Sequence, residues 1–582
     1  MLRCLPFLSL LLILCGACTD TDDDAATGGA LATTADIQLN QVGYGVGERI
    51  RFTYVDSGRR QAPGGAPVKG YEIVNLAGDS TVREGIFGDT EDWSELAGVQ
   101  AVSVDMAPLP AGDYRVYVRE VGYSPPLHVR AKPLEEVFTA SLRGLYYQRA
   151  GQELPAEYAG EWARAAGHPD TVVYYHPSTG REGGTRSSPG GWYDAGDFNK
   201  YVVNGAFPVG QLLALYEDIG DPAPDGTLRI PESGNGKSDF LDEVKYELDW
   251  LLTMQDADGG LFHKLTTLQF AGMVMPEAGT EDRFVVAKST PATFDFAAAA
   301  AQGSRVYRDY DAAYADRLLA AARRAWSWGK ENGAAFYRNP EDVGTGQYGD
   351  GNADDERAWA AAELFATTGE QEFYNDLQEH PPRIRFGAGV GWNSYMANLA
   401  AFTLLRHPDR VPREMYDNVQ GLVKTLADSL LQATTVNAYH QPITQFGWGS
   451  NSDVANAAMI MAAAHRLDGD TEYLTGVRSC MDYLLGNNPN GVCYLTGFGS
   501  TSPQYIHHRQ SAADGIDAPV PGLLSGGPND GQQDREEVAY PEGLPPMRSW
   551  LDETPSYATN EIALNWNAPF SYVAGYLTAQ ED

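Results

Sequence analysis

At 582 residues the chain is longer than one ordinary domain, so one large domain with a smaller companion is expected. Acidic residues outnumber basic ones by 78 to 42, a formal charge of −36. A surface this negative argues against nucleic acid and anionic membrane as ligands and favours an uncharged substrate.

The first eighteen residues join Arg3, an apolar run from Leu5 to Leu14 and Cys15-Gly16-Ala17-Cys18. That run is too short to cross a bilayer and reads as a signal peptide. The small residues before Cys18 resemble a bacterial lipoprotein processing site, in which this cysteine becomes the lipidated N-terminus. Cys15 stands where that site usually carries Leu, so simple secretion or a periplasmic location stays open. Export is the expectation in each case, to the outer membrane or cell surface if lipidated, with membrane contact only through the lipid. Residues 19–35 form an acidic linker. Three of the five cysteines belong to the leader, leaving Cys480 and Cys493 either to pair in an oxidising compartment or to lie as buried thiols.

From residue 36 to residue 132 the chain alternates in short runs such as IQLNQVGY, RIRFTYVD and DYRVYVRE, broken by Gly and Pro. Period-two alternation with frequent turns predicts a small antiparallel β-sandwich. From 134 to 580 the pattern changes to helical spacing, as in SDFLDEVKYELDWLLTMQ, TFDFAAAAAQGSRVY and DVANAAMIMAAAHRL, with long Gly-, Pro- and Asn-rich loops between. About a dozen helices and elaborate loops predict a large all-α domain whose site rides on the loops.

Chemistry concentrates first in Gly190 to Val202, GGWYDAGDFNKYV. Asp194 and Asp197, three residues apart across an Ala-Gly step, can aim two carboxylates at one water and deprotonate it. A bare DAGD is more often a solvated Asp-Gly turn between two elements. Near the C-terminus, Trp550 to Ala568 reads WLDETPSYATNEIALNWNA. Together the two stretches resemble glycoside hydrolase family 9, also called cellulase family E. The NQVGY of Asn40 to Tyr44 resembles the start of the immunoglobulin-like module that precedes the catalytic domain in one branch of that family, with a structural role.

The resemblance implies an (α/α)6 barrel behind the sandwich, and it implies roles. Asp197 is the base, Asp194 helps hold the water, and Glu561 is the acid that protonates the leaving oxygen. In YLTGFGSTSPQYIHHR the motif assigns His507 and Arg509 to sugar hydroxyls, and in GGLFHKL it assigns His263 to the substrate. Asp552 and Tyr557, within the C-terminal signature, are placed with the substrate, and partial burial or a neighbouring carboxylate such as Asp552 is expected to raise the pKa of Glu561. Trp192, Trp448 and Tyr557 are candidate platforms, because the C–H face of a sugar packs on an aromatic plane. Taken alone, Glu561 would pass as a helix-start carboxylate stabilised by the helix dipole, and the His-His-Arg run as polar residues of the surface.

Tyr348 to Trp359, YGDGNADDERAW, is dense in oxygen ligands of the kind calcium takes. It lacks the glycine and distal Glu of an EF-hand. The resemblance gives Asp355 and Glu356 a structural calcium; a plain acidic first turn of a helix is the alternative. With no Cys between Cys18 and Cys480, the zinc site of some relatives is not expected. The implied activity is inverting hydrolysis of β-1,4-glucan, of the endoglucanase type, by a monomer. The alternatives are an exo-acting glucosidase, cellobiohydrolase or glucosaminidase of the same family, or a surface lipoprotein that binds glucan without cutting it.

Overall fold

The computed structural model describes residues 33–56, 69–76, 80–386 and 392–581. The leader, its processing site and nearly all of the acidic linker lie outside the described residues.

The N-terminal part is all-β. One sheet runs β1 (Ile37–Leu39), β3 (Ile50–Asp56), β7 (Gln100–Met106) and β6 (Glu91–Asp92). The other runs β2 (Tyr44–Gly45), β10 (Leu127–Arg130), β8 (Gly112–Val118), β4 (Gly70–Asn75) and β5 (Thr81–Ile86), with β9 (Gly122–Tyr123) also paired to β8. Ile50, Phe52 and Tyr54 of β3 meet Tyr114, Val116 and Val118 of β8 in one core between the sheets, as period-two alternation requires. Thr53 and Val55, on the outer face of β3, are buried as well. The helical domain covers them: Thr53 Oγ1 donates to Ala438 O at 2.7 Å, and Val55 packs on Ala438.

The NQVGY stretch makes that contact specific. Asn40 Nδ2 donates to Asp482 Oδ1 at 2.8 Å while Asn40 Oδ1 accepts from Val42 N at 2.9 Å. Gln41 Oε1 accepts from Ser500 N and Thr501 N, both at 2.9 Å, and its Nε2 donates to Gly491 O at 2.7 Å. These residues dock the sandwich on Asp482 and on the loop that leads to His507.

Fifteen helices follow among the described residues. They are α1 (Glu135–Tyr147), α2 (Ala156–Ala159), α3 (Val202–Ile219), α4 (Asp239–Met254), α5 (Thr290–Val306), α6 (Ala312–Glu331), α7 (Asp354–Thr368) and α8 (Gln371–Glu379). The rest are α9 (Trp392–Arg406), α10 (Arg413–Thr435), α11 (Ser450–Asp468), α12 (Thr471–Leu484), α13 (Arg509–Ala513), α14 (Tyr557–Asn560) and α15 (Leu564–Ala579). Apart from the short α2, α13 and α14, they form two rings. Helices α3, α5, α7, α9, α11 and α15 pack in a closed inner circle, and each is backed by an outer partner from α1, α4, α6, α8, α10 and α12. This is the (α/α)6 barrel.

Inner helices carry small or apolar residues on every face, the signature of an element buried all round. In α5 the whole run from Thr290 to Ser304 is buried. Gly210 of α3 lets the indole of Trp359 come close, since a Cβ there would sit 2.3 Å from its Cζ2. Cys480 and Cys493 are both free and buried, so no disulfide joins them, and burial pushes the Cys493 thiol up to about 12.

One feature departs from the all-α expectation. Five short strands at the barrel mouth form a sheet ordered β12 (Thr185–Arg186), β11 (Val173–Tyr175), β15 (Phe284–Val285), β14 (Lys264–Thr266) and β13 (Lys200–Tyr201). Strands of two or three residues are too short to show alternation in sequence. Their effect is to brace the loop that carries Asp194 and Asp197.

Candidate active site

The loop from Gly190 begins with two glycines at φ +79 and +77, a left-handed backbone that side chains resist. Gly191 also lies against Trp250, where a Cβ would be 2.6 Å from its Cγ. Trp192 then enters the core: its backbone N–H donates to Glu247 Oε2 at 2.6 Å and its indole to Glu243 Oε1 at 2.8 Å. It is a structural anchor rather than a sugar platform.

Backbone bonds stitch the separate motifs together. Leu564 N donates to Asp194 O at 2.9 Å, Arg509 N to Gly196 O at 3.1 Å, and His507 N to Asn560 O at 2.9 Å. Isolated bridges join Ala195 to Ala563 and His507 to Glu561. The glycine of DAGD has a steric cause, since a Cβ on Gly196 would fall 2.0 Å from His507 O. Three stretches far apart in sequence therefore share one floor, beneath a cleft of about 420 Å³ lined by Asp194, Asp197, Glu561, Tyr348, Trp448 and Phe270.

Asp194 and Asp197 are 2% and 5% exposed, and Glu561 is partly buried. Asp194 accepts from Tyr348 Oη at 2.7 Å and from Asn204 Nδ2. Asp197 accepts from Asn199 Nδ2. Arg509, tied by Nη1 to Gly196 O at 2.8 Å and by Nε to Ala271 O at 2.9 Å, lends positive charge to both Asp197 and Glu561.

Three carboxyls this close and this dry do not all ionise together. Burial, then the charge of Asp197, pushes Glu561 well above the carboxylate range. Burial and Asp197 likewise push Asp194 up to about 8. Burial raises Asp197 too, but Arg509, Asn199 and Arg283 oppose it. Those donors and cations favour negative charge on Asp197, while burial beside that charge favours the proton on Glu561. A plain helix-start carboxylate would move the other way. Burial raises Glu561 most, as one of the two expectations had it, and the neighbouring carboxylates that add to it are Asp197 and Asp194 rather than Asp552.

The remaining candidates divide. His507 is neutral, its pKa lowered to about 4 by burial. Its Nδ1 lies 2.7 Å from Thr554 O, and a carbonyl only accepts, so the proton is on Nδ1 and Nε2 is an acceptor for a hydroxyl. Trp448 and Tyr557 stand together with ring centroids 5.5 Å apart, Trp448 on the cleft wall.

His263 does not face the cleft as a ligand. It is buried, with Nδ1 2.8 Å from Ser289 Oγ and Nε2 2.9 Å from Gln347 O, and burial lowers its pKa to about 3. Nε2 holds the loop that presents Tyr348, and Nδ1 is tied to the start of α5. Asp552 is likewise a staple: Oδ1 accepts from Tyr505 N at 2.8 Å and Asn560 Nδ2 at 3.0 Å, and Oδ2 from Gln504 N at 2.8 Å.

Several residues escaped the sequence reading. Tyr348, Asn199 and Asn204 serve the two aspartates, and Phe270, 48% exposed, lies on the cleft with Arg509 over its ring at 5.5 Å. Only Asn199 and Asn204 had a visible signal, being polar residues in an apolar run just after DAGD.

The acidic stretch at the start of α7 has a different character. Asp355 and Glu356 are buried, and one oxygen of each has no hydrogen-bond partner. Asp295 of α5, 0% exposed, has no partner for either oxygen. Burial first, then mutual repulsion, raises the pKa of Asp295 and Glu356 well above the ordinary range. Asp355 rises to about 6, chiefly by burial. Among the described residues no three His, Cys, Asp or Glu side chains are gathered into a formed metal site. Bare, hard oxygens in a dry pocket nevertheless suit a calcium ion.

Residues 135–574 match the sequence model described as Glycosyl hydrolase family 9. The chain is 36% identical to a xyloglucan-specific endo-beta-1,4-glucanase of Bacteroides ovatus, over 93% of this chain and 94% of that one. It is 33% identical to endoglucanase D of Acetivibrio thermocellus, covering 84% and 76%. A metagenome-derived family 9 endoglucanase of known structure superposes with a TM-score of 0.86 at 33% identity, over 93% of this chain and 99% of that one.

Proposed function

The chain belongs to glycosyl hydrolase family 9, and from that premise we propose that it cleaves β-1,4-glucan internally, with inversion at the anomeric carbon. The observation that carries this reading is the arrangement of the cleft: Asp197, faced by the Asn199 amide and Arg509, and Glu561, whose pKa burial raises, line one backbone-stitched floor.

In the proposed step, Asp197 and Asp194 hold a water on one face of the sugar. Glu561 gives its proton to the glycosidic oxygen as the C–O bond breaks, the water oxygen bonds to the anomeric carbon, and the water proton passes to Asp197. His507 Nε2 and Arg509 orient hydroxyls, and Trp448 packs on a ring face. The endoglucanase relatives support internal cleavage over exo action, and a pure binder would need neither the acid nor the base. Carboxymethyl cellulose, mixed-linkage glucan, xyloglucan and cello-oligosaccharides, with chitosan oligomers as control, test it. A fast drop in viscosity relative to reducing ends is expected; release of single units from chain ends would contradict internal cleavage.

We infer that calcium is held by Asp355, Glu356 and Asp295, where it would neutralise their repulsion and stabilise the fold without entering the reaction. The sandwich is read as an immunoglobulin-like module with a structural role. The protein is proposed to be an exported monomer anchored through Cys18; Cys18→Ser should release it to the soluble fraction, and a wild type already soluble after export would contradict the anchor.

A further inference from the structure

Asn199 follows Asp197 by two residues and is buried. Its Oδ1 accepts from Thr267 N at 2.9 Å, Thr266 Oγ1 at 3.1 Å and Thr267 Oγ1 at 3.3 Å. A backbone N–H can only donate, so the amide has a single permitted orientation, with oxygen toward Thr267 and Nδ2 toward Asp197 Oδ2. The pairing of β13 with β14, Lys200 opposite Leu265 and Tyr201 opposite Lys264, is what sets Thr266 and Thr267 beside Asn199.

We propose that Asn199 is a positioning residue for hydrolysis, its locked amide holding one oxygen of the Asp197 carboxylate and leaving the other to take the proton from water. This rests on the reading of Asp197 as the base and adds to it the reason that carboxylate keeps one orientation. The amide also favours the ionised form. The charged or titratable groups facing Asp197 are Asp194, Glu561, Tyr201, Arg509, Arg283 and Lys264. Asn199 is neutral, so Asn199→Ala removes a hydrogen bond from this set without changing its formal charge.

The test uses the full chain and its Asn199→Ala, Asn199→Asp and Asp197→Asn variants. It measures kcat and KM on cellopentaose across the pH range, with a melting curve at each pH. Asn199→Asp keeps the shape and the acceptor for both threonines, so it carries the test if Asn199→Ala folds poorly. The acidic limb should move up by about one pH unit in Asn199→Ala and further in Asn199→Asp, which adds a charge. On the acidic side the rate should fall about tenfold, shrinking toward wild type on the plateau, with KM and the basic limb nearly unchanged. A uniform loss at every pH with the limb in place would reduce Asn199 to a loop brace and overturn the inference. If that happens while Asp197→Asn is inactive, the base assignment survives alone; an active Asp197→Asn would overturn both.

Discussion

Two of the groups of carboxylates that the barrel buries differ in what surrounds their oxygens. Around Asp194 and Asp197 stand Tyr348, Asn204, Asn199 and Arg509, each giving a hydrogen bond or a charge to a particular carboxylate. Around Asp295, Asp355 and Glu356, four oxygens have no partner at all. Burial raises pKa values in both places. In the first group donors favour charge on Asp197 and so leave the proton to the neighbouring Glu561, while the second group, lacking donors, is suited to a cation. Burial of acid residues alone thus says little about catalysis; the wiring of their oxygens decides.

The largest effects should come from breaking the first group. Asp197→Asn and Glu561→Gln should each lower kcat by about 10² to 10⁴, with substrate affinity retained. A substrate with an activated leaving group should partly rescue Glu561→Gln, since it needs no acid, and should not rescue Asp197→Asn. Steady-state kinetics on aryl and natural substrates checks this, and equal rescue of both variants would remove the distinction between them. Wild-type activity should be bell-shaped in pH, falling on the acid side as Asp197 protonates and on the alkaline side as Glu561 ionises.

The second group should respond in stability. A cation bound only by the folded state adds about 2.7 kcal/mol at a hundredfold excess over its Kd, so chelation should lower Tm while leaving kcat below the melting range nearly unchanged. Asp355→Ala and Glu356→Ala should remove the dependence on calcium. In chelator, Asp295→Asn should melt above the wild type at alkaline pH, where this buried carboxyl would otherwise have to ionise. Calorimetry with and without calcium decides, and a Tm indifferent to chelator would contradict the site.

A smaller effect sharpens the contrast inside the first group. The pKa of Asp194 is raised to about 8, so its contribution to stability is fully present below the ordinary carboxylate range and is lost as pH rises through about 8. Asp194→Asn should therefore raise Tm at the alkaline end, leave it nearly unchanged at acid pH, and cost activity throughout. Melting curves at both ends of the range test the sign.

Smallest of all, Trp448→Ala and Phe270→Ala should raise KM by about fivefold, as expected for a stacking contact of ~1 kcal/mol. Unchanged KM in both would remove them from the substrate path.

Much of this was legible in the sequence because it is local. DAGD, HHR and the C-terminal signature are short windows whose residues end up in one cleft, and alternating or helical spacing separates the sandwich from the barrel. What was not legible is contributed across long separations. Tyr348 lies in the acidic stretch yet bonds to Asp194, and Asp295 sits in an alanine-rich helix sixty residues before Asp355. Motif membership also fails to tell a residue that faces the cleft from one that braces it, which is how His263 and Asp552 came to be placed with the substrate. Each has its polar atoms consumed by the protein.

The central claim is that Asp197 activates water on the face opposite Glu561. Proton NMR of the first product released from a cello-oligosaccharide tests it most directly, before mutarotation mixes the anomers. The account predicts that the new reducing end appears first as the α-anomer; first appearance of the β-anomer would contradict inversion and the division of roles between Asp197 and Glu561.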